Sequence, residues 1–264
     1  MITVQRYGRW AVVTGGSEGV GAAFARALAG AGINLLLVAR TQAALDAVAD
    51  EIRHEAGVEV RTLAIDLAEP DAPARINDAA AELEVGLLIC TVGAVSGRGA
   101  FVDLDAADIT RTMQVNATGQ ALLAHHFGGR MAARGHGGIV LIGSMAGNAG
   151  GASTVLYSAG KAFAQILAEG LWAELEPRGV DVLYMVLGAT DTPKRRRQNL
   201  RDSPGMPITD PADVARDGLA NIAEGPVFVP PHLEEGFRFF TSAPRRQAAE
   251  AMRNLLLGFN PAKE

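Results

Sequence analysis

A single cysteine, Cys90, occurs in the whole chain. It excludes an internal disulfide. Its place in the apolar run Leu87-Leu88-Ile89-Cys90 suits a small buried strand residue in a reducing compartment. Metal chemistry has no visible support: the five histidines lack ligand spacing, and His125 and His126, being adjacent, would diverge on a helix. A long basic block is missing, and the formal net charge is -5, which speaks against a nucleic-acid partner. No apolar run reaches the ~18 residues of a membrane span, and Met1 to Trp10 lacks the apolar stretch of a signal peptide. These absences lead to the expectation of a cytoplasmic protein that binds neither metal, nucleic acid nor membrane. Disorder is excluded as well, since 48% of the residues are hydrophobic and only 20% charged, enough to bury a sizeable core.

What is present alternates in a regular way. Apolar runs occur at Trp10 to Val13, Leu35 to Val38, Val60 to Ile65, Leu87 to Cys90, Ile139 to Ile142, Val182 to Val186 and, shorter, Val227 to Val229. Continuous apolar runs imply strands buried on both faces. Helical patterns lie between them. Leu45, Val48, Ala49 and Ile52 share one helix face, and Ala22 to Ala31 is rich in Ala and Leu. This order predicts a doubly wound parallel α/β sheet of about seven strands with helices on both faces. No linker divides the chain, so residues 1–264 are expected to form one domain. Two Pro/Gly-rich breaks come late, at Ser203 to Pro211 and Pro226 to Pro231. The first belongs to a segment, about 189–210, placed where a cover over a site would lie. A helical tail is predicted at about 232–258.

The first strand runs into Thr14-Gly15-Gly16-Ser17-Glu18-Gly19-Val20-Gly21, followed by a helix. Glycines let the backbone turn tightly and approach an anion, and the helix start behind them offers free N–H groups. An ordinary Gly-rich turn would look similar, but its position at the first strand–helix junction of such a sheet favours a nucleotide phosphate. A nucleotide with a free ribose usually meets an Asp or Glu at the end of the second strand. Here Leu37-Val38-Ala39 ends in Arg40, which suits a 2′-phosphate. Glu18 opposes a nearby phosphate.

Tyr157 and Lys161 stand four apart and share a helix face. A cation ~4 Å from a phenol would draw its pKa from ~10 towards neutrality, where proton transfer is efficient. Alone, such a pair is often a partly buried ring beside a surface lysine. Ser144 follows the fifth strand directly and could hold a carbonyl oxygen, although a serine there is commonly a cap. Asn116 sits inside a helical stretch, where asparagine is disfavoured; it marks either a local kink or the anchor of an ordered water.

Taken together, Thr14-Gly15-x-x-x-Gly19-x-Gly21, Asp66-Leu67, Asn116, Ser144 and Tyr157-x-x-x-Lys161 resemble the short-chain dehydrogenase/reductase family along nearly the whole chain. The resemblance implies a Rossmann-type fold and hydride transfer between a nicotinamide and a carbonyl/alcohol pair. It makes Tyr157 the acid/base, with Lys161 assisting and bonding the nicotinamide ribose. Ser144 would polarise the substrate oxygen, and Asn116 would hold a proton-relay water. Cofactor contacts are expected from Gly15, Ser17, Glu18, Gly19, Val20, Gly21, Arg40, Asp66, Leu67, Val92, Gly93, Asn116, Tyr157, Lys161, Gly188, Thr190 and Thr192, with Asp66 at the adenine. Val38-Ala39-Arg40 looks like the NADP-linked ketoreductases, including hydroxysteroid-type members, so NADP(H) is expected over NAD(H), the alternative cofactor.

The chain departs from the family's Asn-Asn-Ala-Gly with Cys90-Thr91-Val92-Gly93, and from its Pro-Gly-x-x-x-Thr with Leu187-Gly188-Ala189-Thr190-Asp191-Thr192. The first departure touches the support of the adenine ribose; the second loosens the start of the cover. Small residues from Met145 to Ser153 leave room for a bulky apolar ketone. Lys194-Arg195-Arg196-Arg197 reads as a solvated face. Family habit, together with apolar Phe163, Ile166, Leu167, Leu171, Trp172 and Leu175, predicts a homodimer or homotetramer. A nucleotide-sensing protein, or an isomerase, dehydratase or epimerase, would share the fold; the complete set Asn116, Ser144, Tyr157 and Lys161 favours the oxidoreductase over the sensor.

Overall fold

Seven parallel strands, in the order β3-β2-β1-β4-β5-β6-β7, make one sheet in the computed structural model, which describes residues 2–93, 100–197 and 207–259. The chain opens with a single helical turn, α1 (Val4–Tyr7), and β1 (Trp10–Thr14). Then α2 (Gly19–Gly30), β2 (Asn34–Ala39), α3 (Gln42–Ala56), β3 (Val60–Ala64), α4 (Ala72–Ala79) and β4 (Val85–Cys90) follow. The second half runs α5 (Ala106–Met113), α6 (Gly119–Arg134), β5 (Gly137–Ile142), α7 (Val155–Leu175) and β6 (Val180–Met185). It ends with α8 (Pro193–Arg197), α9 (Pro211–Ala220), β7 (Val227–Phe228), α10 (Glu234–Ser242) and α11 (Arg245–Phe259). The expected strands are all present, and the expected tail is two helices.

Alternate strand residues supply two cores, as the two-residue side-chain period requires. Val12, Leu36, Leu88, Ile139 and Val182 face α4, α6 and α7 through Ile76, Phe127 and Ala164. Ala11, Val13, Leu35, Ile89 and Leu183 face α2, α3 and α9 through Phe24, Leu45 and Val214. The α3 stripe Leu45, Val48, Ala49 and Ile52 is buried as expected, and the helix stops at Gly57, whose φ of 66° is left-handed. β1 and β4 are buried along their entire length, whereas β3, at the sheet edge, is mostly half-buried.

This winding positions the site. The chain moves outward from β1 to β3, then returns to place β4 on the other side of β1. The turns after β1 and β4 therefore diverge above one crevice at the carboxyl edge, where such sheets bind ligands. The segments after β5 and β6 open onto the same edge.

Candidate active site at the carboxyl edge

The turn after β1 is shaped for close backbone approach. Gly15 and Gly19 have φ of 77° and 55°, conformations that cost most residues free energy. A Cβ on Gly21 would lie 2.1 Å from the Gly15 carbonyl oxygen, so no side chain fits there. Across the crevice, Thr91 donates from its hydroxyl to the Thr14 carbonyl at 2.6 Å. The threonine that departs from the family pattern thus ties the end of β4 to the end of β1. Val92 packs on the core, and a Cβ on Gly93 would come within 3.1 Å of the Lys161 Nζ.

At the end of β2, Arg40 is exposed and its charge reaches Asp66. Burial pushes the Asp66 carboxyl up, but the Ala68 amide and the Arg111 guanidinium, with Arg40 beyond, hold it below the usual carboxylate range. Arg111 donates to one carboxylate oxygen at 2.5 Å and the Ala68 N–H to the other at 3.0 Å. Leu67, beside it, is buried.

Asn116 lies in a wider, π-type turn, Gln114–Thr118, between α5 and α6. The Gly119 N–H bonds back to the Gln114 carbonyl, and the Gln120 side chain donates to the Asn116 carbonyl at 3.0 Å. The asparagine that is disfavoured in a regular helix marks this distortion. It is fully buried and pressed against α7: a Cβ on Gly160 would be 2.6 Å from the Asn116 Cβ. Gly160, inside the Tyr157-to-Lys161 motif, is therefore what lets α7 approach Asn116.

Ser144, Tyr157 and Lys161 converge beside these residues. The Ser144 hydroxyl accepts from the Ala146 N–H and lies close enough to the Tyr157 phenol to favour its ionised form. Lys161 is 3% exposed; its Nζ donates to the Ile142 carbonyl at 2.5 Å and lies 5.8 Å from the centre of the Tyr157 ring. The expected lowering of the phenol by the ammonium is not what this geometry gives. Burial pushes Tyr157 above its ordinary value, and only the nearby Ser144 hydroxyl counters it. The lysine is itself the strongly shifted group, lowered to about 8 by burial and then by the charge of Lys194.

That shift has a sign that can be measured. Between about pH 8 and its ordinary 10.5, the unfolded chain holds a proton on Lys161 that the folded chain lacks, so this group adds stability as pH rises through the window. Without cofactor, the melting temperature of the wild type should therefore gain on that of Lys161→Met from pH 8 to pH 10. A difference that stays constant across the window contradicts the shift.

The segment after β6 closes over the crevice. Gly188 packs against Leu233. Thr190 pairs with Thr209, which draws together the two ends of the expected cover; residues 198–206 of that cover, including the first part of the Ser203 to Pro211 break, lie outside the described residues. Thr192 stands against Gly19 and accepts from the Arg195 N–H. The cations of α8 are solvated as expected, with Lys194, Arg196 and Arg197 exposed, and they also make specific contacts. Lys194 donates to the Gly93 carbonyl at 3.0 Å, Arg196 pairs with Asp191, and Arg197 grips both oxygens of Glu18 at 2.6 and 2.9 Å. Glu18 is thereby paired with a cation, and both side chains keep solvent contact. Two of the glycines after Ser144 serve packing, whereas Gly150 faces open space. A Cβ on Gly147 would meet Lys161 at 3.0 Å, and one on Gly151 would meet Leu256 of α11 at 2.2 Å. Thr91, Gly160, Arg111 and the roof made by α11 were not readable as site features, because each acts through a partner distant in sequence.

The profile of the short chain dehydrogenase family matches residues 9–203. The chain belongs to the short-chain dehydrogenase/reductase family. A 7β-hydroxysteroid dehydrogenase from Clostridium sardiniense is 32% identical over 221 residues, 83% of this chain and 84% of the relative. A solved structure of a 7β-hydroxysteroid dehydrogenase superposes with a TM-score of 0.88 at 26% identity, covering 96% of this chain and 99% of its own. A short-chain dehydrogenase from Sphingobium yanoikuyae, in complex with NADPH, gives 0.78 at 32% identity over 97% and 98% of the two chains. As a short-chain dehydrogenase/reductase, this chain is an NAD(P)-dependent oxidoreductase acting on CH–OH and C=O groups. Among the described residues, no helix is long and apolar enough to cross a membrane.

Proposed function

We propose that this enzyme transfers a hydride between NADP(H) and a bulky apolar ketone or secondary alcohol of hydroxysteroid size. The observation that carries this reading is the convergence of the Ser144 hydroxyl, the Tyr157 phenol and the Lys161 ammonium beside Gly93 and the glycine turn. The cradle of Gly15, Ser17, Glu18, Gly19, Val20 and Gly21 would hold the pyrophosphate and its neighbours. Arg40 would take the 2′-phosphate, with Asp66 and Leu67 at the adenine. Val92, Gly93, Asn116, Tyr157, Lys161, Gly188, Thr190 and Thr192 would line the nicotinamide half. When bound, the nicotinamide supplies the hydride for reduction and takes it up for oxidation.

The rest is done by the chain's own groups. In reduction, the Tyr157 hydroxyl gives its proton to the carbonyl oxygen, which becomes an alcohol; in oxidation, the phenolate takes that proton back. A phenol raised by burial is a reluctant donor, so the Lys161 charge and the Ser144 hydroxyl must stabilise the phenolate once substrate excludes water. Ser144 also bonds the substrate oxygen. Asn116 holds a water beside Lys161 that returns the proton to solvent. The described residues of the expected cover, 189–197 and 207–210, would take part in closing the site of a single domain, with α11 packed against Gly151. The size of the substrate is supported by the two hydroxysteroid relatives, and the buried lone cysteine fits a cytoplasmic setting. A panel of ketones and alcohols, followed by nicotinamide absorbance with both cofactors, tests the reading. Turnover of hydroxysteroid-sized ketones with NADPH is expected. Absence of redox turnover with any member of the panel would point to an isomerase or a sensor.

The same reading includes a homodimer or homotetramer. Leu167, Leu171 and Trp172 pack on the chain's own core, and Leu175 is buried within it. Phe163 and, at 66% exposure, Ile166 remain on the surface of α7, with Leu122 exposed on α6. Light scattering at micromolar concentration is expected to give a multiple of 27.5 kDa, and Ile166→Asp to move the mass towards the monomer. A monomer mass for the wild type removes the proposal.

A further inference from the structure

Tyr184, on β6, is a buried tyrosine that the reaction scheme leaves unused. It is wholly excluded from solvent, and burial pushes its phenol well above the ordinary value. Its backbone pairs with Leu141 of β5, but its side chain reaches beyond the strand to the edge where the site lies. The hydroxyl accepts from the Ser144 N–H at 3.2 Å and donates to the Lys161 carbonyl at 3.1 Å. One oxygen thus joins the two separate segments that carry the catalytic serine and lysine.

The need for this oxygen follows from the sheet. Beyond β5, the Gly143 and Met145 amides bond to Met185 and Leu187, on the β6 side. Amides along a strand alternate in direction, so the Ser144 N–H is turned the other way, towards β4. There the ladder has already ended, at the pair Cys90 and Leu141. A part-buried N–H with no acceptor is costly, and Tyr184 supplies the acceptor. Space is kept for it: a Cβ on Gly143 would fall 2.2 Å from the Tyr184 Cζ and 2.6 Å from its hydroxyl oxygen. Gly143 and Tyr184 therefore form a matched pair.

We infer that Tyr184 is a positioning residue for catalysis, a strut whose hydroxyl holds Ser144 in register with Tyr157 and Lys161. The inference rests on the proposed roles of Ser144 and Lys161. It touches no cofactor-binding residue of the glycine turn, so its loss should alter the chemical step and leave cofactor binding alone.

Tyr184→Phe tests this, because it removes one oxygen and keeps the ring in place. A displacement of a reacting group by about 1 Å can cost on the order of a hundredfold, and kcat is expected to fall about ten- to a hundredfold with the dissociation constant for NADPH unchanged. A wild-type kcat overturns the inference. So does a loss in which NADPH binding weakens as far as kcat falls, since general loosening would do that. Gly143→Ala is the second variant. Its methyl displaces the hydroxyl while Tyr184 itself stays, and the same split between kcat and NADPH binding is expected; full kcat there also overturns the inference. Tyr157→Phe, assayed in parallel, separates the two levels. If it retains full turnover, the reading of the whole site fails; if it loses turnover while Tyr184→Phe does not, only the strut fails.

Discussion

Tyr157→Phe is expected to lower kcat by ~10²–10⁴, the range for losing a general acid–base group, with NADPH bound as before. Phenylalanine fills the same space between Gly93 and Lys161, so the cradle keeps its shape. What disappears is the oxygen that faces Ser144 and carries the proton. Neither neighbour can replace it. The Lys161 Nζ is bonded to the Ile142 carbonyl, 5.8 Å from the ring centre, and serine is too weak an acid. Single-turnover reduction with pre-bound NADPH isolates the step. A Phe variant with near-normal kcat would show that the proton comes from elsewhere.

Arg40→Ala is expected to weaken NADP(H) binding by ~10- to 150-fold and to leave NAD(H) almost unchanged. A charge-assisted contact is worth ~1.5–3 kcal/mol, and a guanidinium offers a fork of donors matched to phosphate. The Arg40 charge reaches Asp66, whose two oxygens accept from Arg111 and the Ala68 amide. The glycine turn also holds less repulsion than its Glu18 suggests, because Arg197 neutralises it. Fluorescence titration of both cofactors measures the preference directly. Tighter binding of NAD(H) by the wild type would defeat the argument, and Glu18 would be the residue to examine next.

The fold was legible because its signals are local. Trp10 to Val13 and Leu87 to Cys90 read as doubly buried strands from their apolar runs alone, and Leu45 to Ile52 as a buried helical stripe. The mismatch of an asparagine with a helix interior was legible too, and it became the distorted turn at Asn116. The behaviour of Tyr157 was not. Its spacing from Lys161 suggested a lowered phenol, but side chains four apart need not meet head to head, and burial acts on the group more strongly than the lysine does. The run of four cations read correctly as solvated, but its contacts were hidden, since the partner of Arg197 is 179 positions away. Tyr184 gave no signal at all, since a tyrosine in a buried strand is ordinary and its meaning depends on where β4 stops.

The lone cysteine has a practical consequence. Cys90 closes β4, at the middle of the sheet, is 1% exposed, and burial pushes its thiol up to about 12. Only a thiolate alkylates readily, so the folded enzyme should ignore a maleimide or iodoacetamide at neutral pH, whereas an opened molecule reacts at its single site. The labelling rate therefore counts openings of the central strand. A cofactor that binds only the folded form lowers that count by the factor 1 + [L]/Kd, which turns one sulfur atom into a gauge of nucleotide affinity that needs no substrate and no turnover.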